Sequence, residues 1–158
     1  MTSGGQLSHE LEVNVAASQA WELFGTLKLA KLVEEELKSS IQKIELLEGD
    51  GGVGTVLNLV FVPGTASSGG YKEKFTKVDN EKRVKEAEII EGGYLEFGFS
   101  LYRVRFEIIE KEKELCIIKS VLEYQVKDEM AANTSFATIQ PFVDIAEIAK
   151  NYLLKNKH

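Results

Sequence analysis

Two alternating stretches in the second half of the chain constrain its fold more than any other feature. Over residues 102–108 and 116–124, small or apolar side chains take every second position, and polar or charged side chains fill most of the gaps. A period of two is typical of half-buried β-strands. The two stretches therefore predict a hairpin with one charged face and one inner face. The inner set is Tyr102, Val104, Phe106, Ile108, Cys116, Ile118, Ser120, Leu122 and Tyr124.

Charge pairing predicts the register of this hairpin. With the turn centred near Lys113, Arg103 lies opposite Glu123. The same register places Glu107 opposite Lys119. Opposite charges that face each other across a sheet are favourable, so we expect these residues on the outer face.

The preceding hairpin can be registered in the same way. A three-residue loop at 79–81 places Lys74 opposite Glu86 and Lys72 opposite Glu88. A two-residue loop would oppose two glutamates, which is unfavourable. We therefore expect the first register. Its inner face comprises Tyr71, Glu73, Phe75, Lys85 and Ala87.

The order of elements indicates an α+β architecture. A strand (7–15) precedes two short helices (17–25 and 28–39), six strands (41–47, 55–62, 71–78, 83–91, 95–109 and 115–126) and a long amphipathic helix (130–155). Pro141 should kink or interrupt that helix near residues 139–140. An antiparallel meander with a helix laid across it is expected to enclose a cavity. No linker splits the chain, so we expect one domain over residues 1–158.

Composition and charge exclude several classes of function. The 158 residues carry a formal net charge of −6, which argues against binding to nucleic acid. A single cysteine, Cys116, allows no internal disulfide and is expected to be a small buried hydrophobe. No signal peptide and no membrane span are evident, so a cytoplasmic protein is expected, although a removed leader in a longer precursor stays open. No cluster has metal-ligand spacing, and we expect no cofactor.

The glycine-rich stretch at residues 48–55 carries EGDGGVGT. It is not a Walker A motif, because no Gly-Lys-Ser/Thr follows, and it lies between two strands rather than before a helix. A turn that needs positive φ angles is the better interpretation.

This loop resembles the signature loop of the Bet v 1/PR-10 family. The stretches at 71–75, 78–83 and 90–95 are similar to the norcoclaurine synthase branch of that family. The likeness covers nearly the whole chain. It implies the helix-grip fold, in which a seven-stranded antiparallel sheet surrounds the C-terminal helix and an internal cavity.

The resemblance also implies site residues. The tyrosine, glutamate and lysine of the branch fall on Tyr71, Glu73 and Lys85. The branch's aspartate position is Val104, a departure that weakens the case for full norcoclaurine synthase activity. Segments 7–13 and 131–138 resemble norbelladine synthases, which tend to carry an aliphatic residue there. A structural alternative for Glu73 and Lys85 is an inward ion pair that closes a strand end.

The expected cavity wall follows from the inner faces and the helix stripe. Its substrate-binding members are Phe75, Tyr102, Val104, Phe106, Leu122 and Phe142. Tyr102 and Tyr124 are expected to line the wall rather than to react. His9 faces an apolar side and is expected to be a core histidine.

The function implied by the resemblance is the condensation of a phenylethylamine, such as dopamine or tyramine, with an aromatic aldehyde. It proceeds through an iminium that a Pictet–Spengler closure can follow. Three readings stay open: the cyclising enzyme, an enzyme that stops at the imine and passes it to a downstream reductase, and a non-catalytic carrier of phytohormones, flavonoids or alkaloids. The expected partners are small aromatic amines and aldehydes, not nucleic acid or membrane.

Overall fold

The computed structural model describes residues 2–63 and 70–157. Seven antiparallel strands form one sheet in the order β1-β7-β6-β5-β4-β3-β2, which confirms the predicted fold class. The strands are β1 (Thr2–Val13), β2 (Ile41–Glu48), β3 (Val56–Phe61), β4 (Tyr71–Asp79), β5 (Val84–Gly92), β6 (Phe99–Glu112) and β7 (Leu115–Lys127). The helices are α1 (Ala17–Phe24), α2 (Lys28–Glu36) and α3 (Gln140–Lys155), with 3₁₀ helices at Gly93–Phe97 and Asp128–Phe136.

The β6–β7 hairpin has the predicted register. Arg103 lies opposite Glu123, and Glu107 lies opposite Lys119. On the outer face Arg103 contacts Glu123 at 3.5 Å and Glu88 of β5 at 2.8 Å. The inner residues of both strands are buried, apart from the half-buried Tyr124. Alternation therefore identified the face that meets the core.

The predicted β4–β5 register is wrong. Lys74 lies opposite Glu88, not Glu86, and Lys72 lies opposite Glu91. The reason is a four-residue connection, since β4 ends at Asp79 and β5 begins at Val84. Its first turn is stabilised by the Asp79 carboxylate, which accepts hydrogen bonds from the amides of residues 81 and 82.

The error does not change which side chains face inward. Phe75 lies opposite Ala87, two positions from the predicted partner Lys85, and an even shift preserves the face. A bulge between Phe75 and Lys77 then realigns the strands, so that Val78 lies opposite Lys85. Glu73, Phe75 and Lys85 consequently lie on the inner side as expected.

The C-terminal helix begins later than predicted. Residues 128–136 form 3₁₀ turns with a kink at Met130, and α3 starts at Gln140 with Pro141 in its first turn. Proline is favoured at this position because its missing N–H would have no helical partner there. Pro141 therefore lies in the first turn of α3, and the helix begins at the interruption that the sequence predicted near residues 139–140. The stripe that α3 buries against the sheet is Phe142, Ala146, Ala149 and Leu153.

The glycine-rich loop between β2 and β3 is a turn, as predicted. Gly49, Gly51 and Gly54 all have positive φ angles. A side chain on Gly49 would place its Cβ 2.6 Å from Thr55 Cα, so glycine is required there by space as well as by conformation. The loop is tied to β4, because Gly54 N donates to Phe75 O and Phe75 N donates to Thr55 O, each at 2.8 Å.

Within the described ranges, no helix is long and apolar enough to cross a membrane.

Candidate functional site

Two adjoining chambers lie between the concave face of the sheet and helices α2 and α3. The inner chamber has a volume of about 80 Å³, and the outer chamber about 270 Å³. They share wall residues, and α2 and α3 both contribute to that shared wall. The shared residues are Val33, Leu59, Tyr71, Phe142 and Ile145. The predicted cavity is therefore present, as two adjoining compartments.

The structure brings most of the predicted wall together. Phe75, Val104 and Phe106 line the inner chamber, Tyr102 lines the outer chamber, and Phe142 lines both. Leu122 is fully buried and lines neither chamber, because it packs in the core of the sheet next to Val104.

Lys85 places an amine in the inner chamber. The residue is only 4% exposed, and its Nζ lies 4.3 Å from the centroid of the Phe75 ring. Among the described residues, no carboxylate lies within 4.0 Å of this amine. Burial lowers the pKa of Lys85 to about 8, an effect that the negative charge of Glu73 partly opposes. The amine can therefore exist in both protonation states near neutral pH.

Glu73 lines the same chamber from the neighbouring strand β4. Burial raises the pKa of its carboxyl group, and the positive charge of Lys85 opposes that rise. The two groups influence each other's charge without forming a salt bridge in the described part of the chain. The alternative of a closed inward ion pair is therefore not what the geometry shows.

Three tyrosines line the chambers. Tyr71 lines both, while Tyr94 and Tyr102 line the outer one and stack with centroids 4.3 Å apart. Burial raises the pKa of Tyr71 and of Tyr102, and the nearby Glu73 adds to both rises. Tyr71 and Tyr102 consequently stay protonated at neutral pH and can donate hydrogen bonds to a carbonyl or phenolic oxygen.

The site thus combines an amine, a carboxyl group and protonated phenols in an apolar enclosure. A group of this kind can deliver and remove protons at a bound molecule. The described residues include no group of three His, Cys, Asp or Glu side chains placed to hold a metal ion.

Sequence reasoning missed part of the wall. Tyr94 was not singled out, although its place in the stretch at 90–95 was a usable signal. The contribution of α2 was also missed, although Leu29 and Ala30 lie four and three positions before Val33 and so share one face with it.

The other residues singled out from the sequence lie in the core or at its edge. Cys116 is fully buried, and burial raises the pKa of its thiol to about 11. His9 is half-buried opposite Ser120 on the inner side of β1. Tyr124 lines neither chamber.

Comparisons with known proteins support the resemblance read from the sequence. The chain is 49% identical to norbelladine synthase of Narcissus pseudonarcissus over 97% of its length and 94% of that protein. It is 39% identical to S-norcoclaurine synthase 2 of Papaver somniferum over 96% of its length and 66% of that protein.

A solved structure of norcoclaurine synthase from Thalictrum flavum, in complex with dopamine and hydroxybenzaldehyde, superimposes with a TM-score of 0.89 at 38% identity. The match covers 99% of this chain and 90% of that chain. The model of the pathogenesis-related protein Bet v 1 family matches residues 2–156. This match extends over nearly the whole sequence, and the chain therefore belongs to the Bet v 1 family.

Proposed function

We propose that this protein condenses a phenylethylamine, such as dopamine or tyramine, with an aromatic aldehyde to give an iminium or imine. One observation carries the proposal: the amine of Lys85 lies buried in an apolar chamber near the carboxyl group of Glu73, and no salt bridge holds it among the residues that the structure describes. Buried charges are normally paired, so an unpaired one in a cavity is a candidate for chemistry. The similarity to norbelladine synthase and to a norcoclaurine synthase that binds an amine and an aldehyde gives independent support.

The chemistry needs an acid at a defined step. Attack of the amine on the aldehyde gives a carbinolamine, whose hydroxyl must be protonated before it leaves as water. With a pKa of about 8, Lys85 is mostly protonated at neutral pH and can give that proton. Glu73, with its raised pKa, can take up the proton released on ring closure. Tyr71 can orient a phenolic or carbonyl oxygen where the chambers meet.

We propose further that imine formation outweighs ring closure. Val104 presents an aliphatic side chain to the inner chamber, so the β6 side offers no carboxylate to hold the amine substrate. Cyclisation needs a closely positioned ring carbon, and small misplacements of reacting atoms are costly. An imine hydrolyses readily in water, so a cytoplasmic reductase that consumes it is the partner that the proposal requires.

Product analysis tests this proposal. The purified protein is incubated with tyramine or dopamine and a panel of hydroxybenzaldehydes, with and without a mild reductant that traps imines. Mass spectrometry then measures the trapped secondary amine and the cyclised product. We expect the trapped amine to exceed the uncatalysed background and the cyclised product to be minor. Cyclised product in excess would refute the preference for imine formation.

A carrier is the second candidate function. The outer chamber favours it, since about 270 Å³ lined largely by apolar and aromatic side chains can hold a hydrophobic ligand without chemistry. Tight binding of either substrate, with turnover no faster than background, would identify the protein as a carrier.

A further inference from the structure

The only lysine that lines the inner chamber in the described part of the chain is placed to act as a nucleophile. We propose that Lys85 forms a covalent Schiff base with the aldehyde, and that the amine substrate then displaces Lys85 by transimination. This inference rests on the proposed function in one respect, namely that the inner chamber must admit the aldehyde.

The surroundings of the amine favour attack on a carbonyl. Lys85 projects from β5 over the Phe75 ring, and α2, β6 and α3 contribute only apolar side chains to this chamber. In the ranges that the structure describes, Glu73 and Tyr71, both on β4, are the other titratable groups that line it. An apolar enclosure also restricts water, which would hydrolyse a Schiff base.

The charge state of the amine is compatible with nucleophilic attack. Only the neutral form has a free electron pair, and a lysine in water has well under about 1% of it at pH 8. Burial lowers the pKa of Lys85 to about 8, so close to half of the amine is neutral at that pH. The Phe75 ring favours the protonated form, but desolvation is the larger effect. Desolvated lysines in apolar pockets commonly form Schiff bases with carbonyl substrates.

Val104 contributes to this property. It lies opposite Ala87 on the neighbouring strand β5, and both side chains line the chamber that holds the amine. An acidic side chain there would hold the amine in its protonated form, since an opposite charge within a few ångströms favours the charged state. An aliphatic residue at position 104 leaves Glu73 as the carboxylate that acts on Lys85 within this chamber.

The proposed steps balance in atoms and electrons. The Nζ electron pair attacks the carbonyl carbon, the C=O π electrons move to oxygen, and a proton passes from nitrogen to that oxygen. The resulting hydroxyl accepts a proton from Glu73 or from water and leaves as water, which forms the C=N bond. The amine substrate then adds to the same carbon, and Nζ leaves with its electron pair and regains a proton. No oxidant or reductant takes part.

Reductive trapping tests the covalent step. The whole protein is incubated with 4-hydroxybenzaldehyde alone and cyanoborohydride, and intact mass is followed from about pH 6 to about pH 10. A reduced Schiff base adds the mass of the aldehyde less one oxygen atom, and peptide mapping assigns the modified lysine. We expect one rapidly formed adduct on Lys85, whose yield rises with pH through about 8. Tyramine added before the reductant should remove most of this adduct and yield the small secondary amine.

Matched variants distinguish the role of the Lys85 amine as a nucleophile from its role as a buried positive charge. Lys85→Arg keeps a buried cation and cannot form the adduct, so labelling at this position should vanish. Lys72→Arg is the control, because Lys72 lies on β4 and pairs with Glu91 at 2.9 Å on the outer side. It should label like the wild type. Val104→Asp should raise the pH of half-maximal labelling by about one unit or more. Thermal melts and binding of the aldehyde to the unreduced variants establish that each is folded.

Each outcome decides between the two proposals. Labelling of Lys85 that Lys85→Arg abolishes and tyramine reverses supports the covalent route. Condensation of tyramine with the aldehyde without any Lys85 adduct overturns the covalent route and leaves the proposed function standing, with Lys85 as a proton donor. Labelling confined to surface lysines also overturns the covalent route. Absence of both adduct and condensation product overturns both proposals.

Discussion

Replacing Lys85 with methionine should stabilise the fold while removing its chemistry. Methionine has a similar length and an apolar character that suits the inner chamber. In the wild type the amine is 4% exposed, and burial lowers its pKa from 10.5 to about 8. A pKa shift of that size corresponds to a loss of about 3 kcal/mol in the free energy of unfolding when the buried amine is protonated. Below pH 8 the variant should therefore have the larger free energy of unfolding by roughly this amount.

The sign follows from proton binding. Between about pH 8 and 10.5 the unfolded chain holds a proton on Lys85 that the folded chain has largely lost. The contribution of this lysine to wild-type stability is therefore lowest below pH 8 and recovers as the pH rises towards 10.5. The advantage of the variant should fall from about 3 kcal/mol at pH 7 to about half of that near pH 9.5. The tyrosines also titrate at high pH, but both proteins contain them. Their contribution to the free energy of unfolding therefore cancels when the two proteins are compared at the same pH.

Urea unfolding of both proteins at several pH values measures this difference. Lys72→Met is the matched control, since its exposed ion pair with Glu91 should be worth less than about 1 kcal/mol. A Lys85→Met variant that is less stable than the wild type would refute the reasoning. A stabilisation that does not change with pH would also refute it. Either result would mean that the amine is solvated or paired in solution.

Three further predictions concern activity and packing. Lys85→Met should lower the rate of trapped-imine formation by about 10²–10⁴-fold, and by far more than Glu73→Gln, because both proposed routes use the Lys85 amine, as acid or as nucleophile, whether or not a ring closes. Equal losses in the two variants, measured by the same mass assay, would contradict these roles. Gly49→Ala should cost about 1–3 kcal/mol, because it combines a positive φ angle with a Cβ 2.6 Å from Thr55, and a shift in the urea midpoint reports it. Leu122→Ala should cost about 2–5 kcal/mol in the same assay, since that side chain is fully buried in the sheet.

The faces of the sheet could be predicted from the sequence, but the register of one hairpin could not. Alternation reports which side of a strand is apolar, and that signal survives a shift of two residues. The turn after Asp79 is closed by hydrogen bonds from its carboxylate to two amides, and a bulge follows Phe75. Neither feature has an apolar pattern, so charge pairing alone chose the wrong partners for Lys72 and Lys74.

The candidate site was predictable where a side chain belongs to a strand with clear alternation. Glu73 and Lys85 met that condition, and both line the inner chamber. Leu122 also belongs to a strand with clear alternation, yet it lies in the core and lines neither chamber. The position of a residue along a curved sheet decides whether its side chain reaches the cavity. Tyr94 lies in a 3₁₀ helix, whose short period gives no strand or α-helix signal. Its stacking on Tyr102 depends on how that helix folds back over β6.

The link between the glycine-rich loop and β4 has a consequence for the acidity of the site. Backbone hydrogen bonds join Gly54 and Thr55 to Phe75, and the Phe75 ring lies directly under the amine of Lys85. The loop therefore helps to fix the position of the Phe75 ring beneath the amine. A change in loop length would move that ring and so change the pKa of the amine. The reactivity of the amine therefore depends on a loop that lines neither chamber.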